Sequence, residues 1–523
     1  LTFDNSAHDR ANGDLPLSPD ASQKREHEQP WPFAQSSCVA PAPGRPVRGR
    51  SPGRLSAPTT SVGFVADLDG IFKAYDVRGL VPEQLDEELV ERIGAAFARF
   101  LLGLPDGMPA DERAPDRVLV GRDMRPSGTD FVQAFARGVS GQGLDVVDLG
   151  LCSTDEVSFA SGSMDAPAAM FTASHNPAGY NGIKFCRSGA RPLSLETGLD
   201  RVRDLARNKL APQGSPGSLT TTDVLADFVA HVRSFVDVDG LSPLSVVADV
   251  ANGMGGLVVP AVFDGLKPRL EVMFGELDGT FPNHPADPLQ PENQADLRAR
   301  VLEVGADVGL AFDGDADRVF LVDELGQGLS GSTTTAIIAA AMLAEHPGAT
   351  IIHNLIVSKA VPEAIAEHGG VAVRTRVGHS FIKAVMADRD ALFGGEHSAH
   401  YYFADNYRAD SGLIAALVVL AEMSRSGQPL SELRKPYERY VASGEINSTV
   451  TDPTDAMARV EEAFMGSRRD HLDGLTVDLG DWWFNLRASN TGPLLRLNLE
   501  AADTASMERH SAEVLALVRG ETD

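Results

Sequence analysis

Cysteine is scarce in this 523-residue chain. Cys38, Cys152 and Cys186 are far apart and form neither a CxxC pair nor a zinc-ligand spacing. That excludes a disulfide framework and predicts a reduced, cytoplasmic setting. Long apolar runs are missing too. The longest, Gly412 to Ala421, reaches about half of the ~20 residues a membrane span needs, so no membrane partner is expected. Positive charge is the minority sign: 46 Lys+Arg against 73 Asp+Glu leave a net charge of −27. Such a surface repels nucleic acid, so a phosphate-bearing ligand must be met by Arg and Lys concentrated in a buried site. What is present is ordinary for a folded protein, with 43% hydrophobic and 23% charged residues. At ~150 residues per domain, this length predicts three or four domains.

Residues 1–62 differ from the rest. Nine of the 32 prolines fall in the first 60 positions, and Gln35 to Thr60 carries Arg45, Arg48, Arg50 and Arg54 with no acid. This composition predicts a disordered extension. It has no continuous apolar segment of the signal-peptide kind. The chain starts with Leu, and the extension is expected to lie upstream of the true start, an interaction tail being the alternative. Beyond it, β-branched runs alternate with amphipathic stretches. Val118 to Asp123, Ser245 to Asp249 and Thr350 to Asn354 look alike: each is an apolar strand ending in Asp or Asn. Three related α/β units with mixed sheets are expected, over 63–215, 216–324 and 325–438, followed by a smaller α+β domain over 439–523.

Five motifs carry chemistry. Thr172-Ala-Ser-His-Asn-Pro177 offers an accessible Ser174 hydroxyl before a forced turn, with His175 beside it. It is not a nucleophile elbow, since G-x-S-x-G is absent. In Gly179-Tyr-Asn-Gly-Ile-Lys184 a turn at Asn181-Gly182 is predicted to bring Lys184 back toward Ser174, where neighbouring cations would disfavour its ammonium form and make it a base. Asp313-Gly-Asp-Ala-Asp-Arg318 spaces three carboxylates to converge on one hard cation, Mg²⁺ or Ca²⁺. An EF-hand is ruled out because Arg318 stands where the calcium loop needs Gly, and the flanks read as strands. Arg318 beside the cation suits a phosphate. Gly395-Glu-His-Ser-Ala-His400, read as an extended loop, points Glu396 and Ser398 the same way toward sugar hydroxyls. Arg487-Ala-Ser-Asn-Thr-Gly492 combines a guanidinium with hydroxyl, amide and backbone donors, enough to wrap a second phosphate.

Together these motifs describe phosphoryl transfer on a sugar that carries another phosphate. With Tyr75-Asp-Val-Arg-Gly79 added, their order closely resembles the α-D-phosphohexomutases over residues 63–523. GEHSAH and Asp278-Gly-Thr-Phe-Pro-Asn-His284 look like the phosphomannomutase branch; phosphoglucosamine mutases typically have glutamine where this chain has His397. The resemblance implies four domains around a central cleft. It implies a phosphoserine at Ser174, which with Asp313, Asp315 and Asp317 binds Mg²⁺. It further implies a hexose 1,6-bisphosphate intermediate that turns end over end, and interconversion of mannose 6-phosphate and mannose 1-phosphate, with glucose phosphates as further substrates. Lys184 resembles the general acid/base, and Arg78, His175 and Arg318 neighbour the moving phosphate. Glu396, Ser398, His400 and His379 match sugar-side ligands, and Arg487, Ser489, Asn490 and Thr491 the grip on the other phosphate. The expected partners are small hexose phosphates, and the protein a monomer or dimer.

Two departures stand out. Where some relatives end the third unit's strand with a lysine, Asn354-Leu-Ile356 has none, leaving Lys359 or His379 to supply that cation. Cys152-Ser-Thr-Asp155 lacks the proline usual there, with no functional consequence expected. The alternatives are a phosphoglucomutase or phosphoglucosamine mutase, a serine phosphomonoesterase, and a sugar-phosphate-binding pseudoenzyme.

Overall fold

In a computed structural model, residues 67–103, 115–488 and 494–520 are described, the side chain of His379 excepted. The expected disordered extension at 1–62 lies outside them, as do Ser489, Asn490 and Thr491.

The three lookalike strands are the centres of three sheets with one shared wiring. Arg117–Arg122 lies parallel to Asp145–Leu151 on one side and to Ala168–Phe171 on the other, and Tyr180–Arg187 returns antiparallel beside the latter. In the second unit Ser245–Asp249 sits between Arg269–Met273 and Val308–Phe312, with Val319–Asp323 antiparallel. In the third, Thr350–Asn354 sits between Val371–Thr375 and Phe393–Gly395, with Tyr401–Phe403 antiparallel. Only the first sheet is extended, by Asp76–Leu80 and Arg191–Pro192 at one side and Leu219–Thr221 at the other. The fourth domain is a five-stranded antiparallel sheet with the helices Pro453–Ala463 and Thr504–Arg519.

This wiring decides where chemistry sits. In each unit the last parallel strand runs into the antiparallel one through a loop at the carboxyl end of the sheet, where α/β proteins bind ligands. Those loops are Thr172–Gly179, Asp313–Arg318 and Glu396–His400, so three of the motifs occupy one position of a repeated unit.

The strands form because they are apolar and buried on both faces, as Val308–Phe312 is throughout, which parallel sheets require. Several helix starts carry side-chain caps. Asp86 accepts from Leu89 N at 2.8 Å and Ser411 from Ile414 N at 3.2 Å. The apolar run from Gly412 lies in helix Gly412–Ser426, buried in a core that passes from Val246 and Leu310 to Ile351 and Leu417, through the second and third units together. No helix of the described residues is long and apolar enough to cross a membrane.

One turn differs from expectation. Asn181 and Gly182 are already paired within Tyr180–Arg187, and the chain reverses earlier, at 174–179. Gly182 is needed for close approach, not turning: a Cβ there would strike the carbonyl oxygens of Val77 and Thr172.

Candidate active site

Ser174 has φ +47°, a left-handed conformation that lifts it out of the strand path. Its loop is gripped from two sides. Arg78 donates to Asn176 Oδ1 at 2.9 Å and Ala173 O at 3.3 Å, itself held by Asp76 at 2.7 Å. Arg125, which the sequence reading did not single out, is fully buried. It donates to the carbonyls of Ser174 (2.9 Å), Asn176 (2.6 Å), Pro177 (2.9 Å) and Tyr180 (2.8 Å), and pairs with Asp123 at 3.2 Å. The second unit closes on the same loop. A Cβ on Gly314 would lie 2.5 Å from Ser174 O, and Phe281 stacks under Arg125 at 5.1 Å.

The Ser174 hydroxyl donates to Asp313 Oδ2 at 2.6 Å. Arg318 binds that carboxylate at 2.8 Å and also donates to His175 Nδ1 at 2.7 Å. His175 Nδ1 is therefore the bare nitrogen of a neutral ring. Burial, reinforced by Arg318 and Arg78, pushes its pKa down to about 2. Lys184 Nζ lies 2.7 Å from Asp315 Oδ2 and 2.7 Å from Asp317 Oδ2. This corrects the expected electrostatics. Burial and Arg78 do oppose the charge, but the two carboxylates outweigh them and raise the lysine pKa, so the ammonium is favoured. Asp315 responds in kind: burial pushes its pKa up, yet Lys184 holds it well below the usual range. Asp313 is pushed up to about 7 by burial and its acidic neighbours, against Arg318.

Oxygens of Asp313, Asp315 and Asp317 lie within 4.8 Å of one another. Asp315 Oδ1 and Asp317 Oδ1 are buried with no hydrogen-bond partner, an arrangement costly unless something binds there. An all-oxygen set with two orphaned acceptors fits a hard divalent cation.

The sugar-side loop is a tight turn, not the extended loop expected. Ala399 N bonds Glu396 O, and Ala399 has φ +63°. Glu396 is buried, its two oxygens held by Tyr402 at 2.6 Å and Asn354 at 2.9 Å, while Ser398 is half-buried. His400 pairs with Asp410 at 2.7 Å and stands 4.0 Å from Asp317, so the third unit reaches the carboxylate loop.

Lys359 does not serve the cleft. It precedes helix Ala360–Glu367 and turns to the fourth domain, pairing with Asp478 at 2.7 Å. A cation that does line the cleft from the third unit, together with Ser174, Lys184 and Arg318, is Lys383, paired with Asp410 at 3.0 Å. His379 begins the helix that carries Lys383. Arg487 lies near Glu445 (3.6 Å) and Asp473 (3.5 Å), and Asp473 also accepts from Val377 N at 3.2 Å. A hollow of about 890 Å³ between Phe235, Met342 and Arg425 contains none of these loops.

The repeated units, the serine loop and the carboxylate loop define a phosphohexomutase. Family models for phosphoglucomutase/phosphomannomutase match in order: alpha/beta/alpha domain I over residues 69–210, domain II over 226–326, domain III over 330–440, and the C-terminal domain over 445–517. The chain belongs to this family. A phosphohexose mutase of Xanthomonas campestris pv. campestris is 40% identical over 456 residues, 86% of this chain and 99% of the relative. A phosphomannomutase of Salmonella montevideo is 40% identical over 460 residues, 86% of this chain and 98% of its own. A crystal structure of a phosphoglucomutase/phosphomannomutase family protein from Burkholderia thailandensis superposes with a TM-score of 0.76 at 30% identity, over 86% of this chain and 98% of the other.

Proposed function

We propose that this enzyme is a phosphomannomutase, interconverting mannose 6-phosphate and mannose 1-phosphate through a phosphoserine at Ser174 and a hexose 1,6-bisphosphate, with glucose phosphates as secondary substrates. The observation that carries the reading is the Ser174 hydroxyl, set on a left-handed turn 2.6 Å from Asp313. Around it stand Arg318 and an ammonium at Lys184. The 40% identical relative named phosphomannomutase supports the choice of sugar.

Asp313, Asp315 and Asp317, with the phosphate on Ser174, would hold Mg²⁺, which neutralises phosphoryl charge when bound. The chain's own groups do the rest. Arg125 and Arg78 fix the turn so that Oγ faces the carboxylates. The P–Oγ bond breaks as a bond forms from phosphorus to the free sugar hydroxyl, and the proton of that hydroxyl ends on Ser174 Oγ. Lys184, kept cationic by Asp315 and Asp317, is the acid that delivers it and is restored when the hydroxyl proton is taken up. Neutral His175 orients the phosphoryl oxygens through its remaining N–H, and Arg318 offsets their charge. Glu396, Ser398 and His400, with His379, hold the sugar. Arg487, Ser489, Asn490 and Thr491 grip the phosphate that is not moving, and the bisphosphate reverses so that each end meets Ser174 in turn.

The test follows the phosphoryl group. With Mg²⁺ and a trace of hexose 1,6-bisphosphate, mannose 1-phosphate should be turned over faster than glucose 1-phosphate. Mass spectrometry should find Ser174 esterified. S174A should nearly abolish turnover yet still bind hexose phosphate. An active S174A variant, or release of free phosphate without isomerisation, would overturn the assignment.

A further inference from the structure

Cys152-Ser-Thr-Asp155, where no consequence was expected, opens the buried helix Thr154–Ser163 in the first domain. Ser153 and Glu156 cap that helix reciprocally, which fixes the end of the chain segment rigidly. Thr154 then reaches into the second unit twice. Its backbone N–H donates to Asp315 O at 3.1 Å and its hydroxyl to Asp315 Oδ2 at 2.6 Å. The next residue, Asp155, accepts from Ser411 Oγ at 3.0 Å in the third unit, where Asp410 holds His400. One helix end in the first domain thus touches the carboxylate loop of the second and the sugar-side loop region of the third.

The consequence for Asp315 is directional. Its Oδ2 is occupied by Thr154 and by Lys184 at 2.7 Å, while its Oδ1 is buried and unpartnered among the carboxylates. Two donors on one oxygen fix the rotation of the carboxylate and leave the other oxygen presented.

We propose that Thr154 is a positioning residue that aims Asp315 at the divalent cation, rather than an inert turn residue. The inference rests on the reading of Asp313, Asp315 and Asp317 as cation ligands. Groups that orient metal ligands from behind typically change affinity by about 10- to 100-fold when removed.

The experiment measures cation binding directly, by calorimetry with Mg²⁺ and by the electron paramagnetic resonance of bound Mn²⁺, on the full chain. T154V keeps the shape and loses the hydroxyl; Thr154→Ser restores it. T154V should bind either cation about tenfold more weakly, with kcat recovered at high Mg²⁺ and KM for hexose phosphate unchanged. Thr154→Ser should stay within about twofold of wild type. Should T154V melt early, Thr154→Ala serves as the second hydroxyl-free variant. Cation binding by both hydroxyl-free variants equal to wild type would overturn the positioning role while sparing the carboxylate site. Absence of binding by the wild-type chain would overturn the carboxylate site and this inference with it.

Discussion

Removing the Arg125 guanidinium should loosen the serine turn and strip the buried Asp123 carboxyl of its counter-charge. Both side chains are fully buried, and burial already pushes the Asp123 pKa up to about 6 with Arg125 in place. Stripping one partner from a buried ion pair costs about 3–5 kcal/mol. The four carbonyls of Ser174, Asn176, Pro177 and Tyr180 also lose their shared donor. R125M should therefore destabilise the first domain by about 5 kcal/mol. D123N/R125M removes the carboxyl left without its partner and should recover about 2 kcal/mol of that, so the double variant is more stable than R125M alone. R125K keeps the charge but not the planar fork that spans four acceptors. It should lower kcat about 10- to 100-fold with KM little changed, because the sugar is held by other loops. The assay is hydrogen exchange of the first-domain strand amides under graded urea, which isolates that domain, combined with steady-state rates. Wild-type kcat in R125K, or strictly additive costs in the double variant, would refute the reasoning.

Other outcomes follow from the same contacts. His353 is buried, donates toward Asn354 O at 3.0 Å and has its pKa lowered by burial from 6.5 to about 4. Its folded pKa is depressed, so the neutral ring's contribution is present above pH 6.5 and is lost as pH falls toward 4. Between pH 7 and 5 the loss should be about 2 kcal/mol, and H353Q should flatten that part of an acid-unfolding curve; an unchanged slope would count against it. Chelation should abolish isomerisation and restored Mg²⁺ should return it, whereas turnover that survives exhaustive chelation would remove the cation from the mechanism.

The sequence carried the loops and the repeat well because both are local patterns. A strand ending in Asp or Asn, followed by a motif, is legible without knowing what packs on it, and the structure gives those end residues a common use. Asp123 holds Arg125, Asp249 holds His284 at 3.0 Å, and Asn354 holds Glu396. What was missed depends on contacts between units. Arg125 sits two residues after a strand, where an arginine ordinarily reads as solvated; only the fold buries it. Lys184 is expected among cations from its own motif, but two carboxylates from another domain set its charge. Thr154 is legible only once Asp315 arrives beside it, and Lys359 only once the fourth domain does. The Glu396 turn was hidden by Ala399, a residue whose type gives no sign of the left-handed backbone it adopts.

Gly314 and Ser174 meet backbone to backbone, so the donor half of the cleft is a stiff anvil whose parts cannot slide without breaking van der Waals contact. The fourth domain is fastened differently, by polar ties such as Lys359–Asp478 at 2.7 Å and the half-exposed Arg374–Asp470 at 2.6 Å. Water and salt can replace ties of that kind. On the proposed mechanism, room for a doubly phosphorylated sugar to reverse between half-reactions would come from the yielding side, and the rate of that reversal should track ionic strength while the phosphoryl jump itself should not.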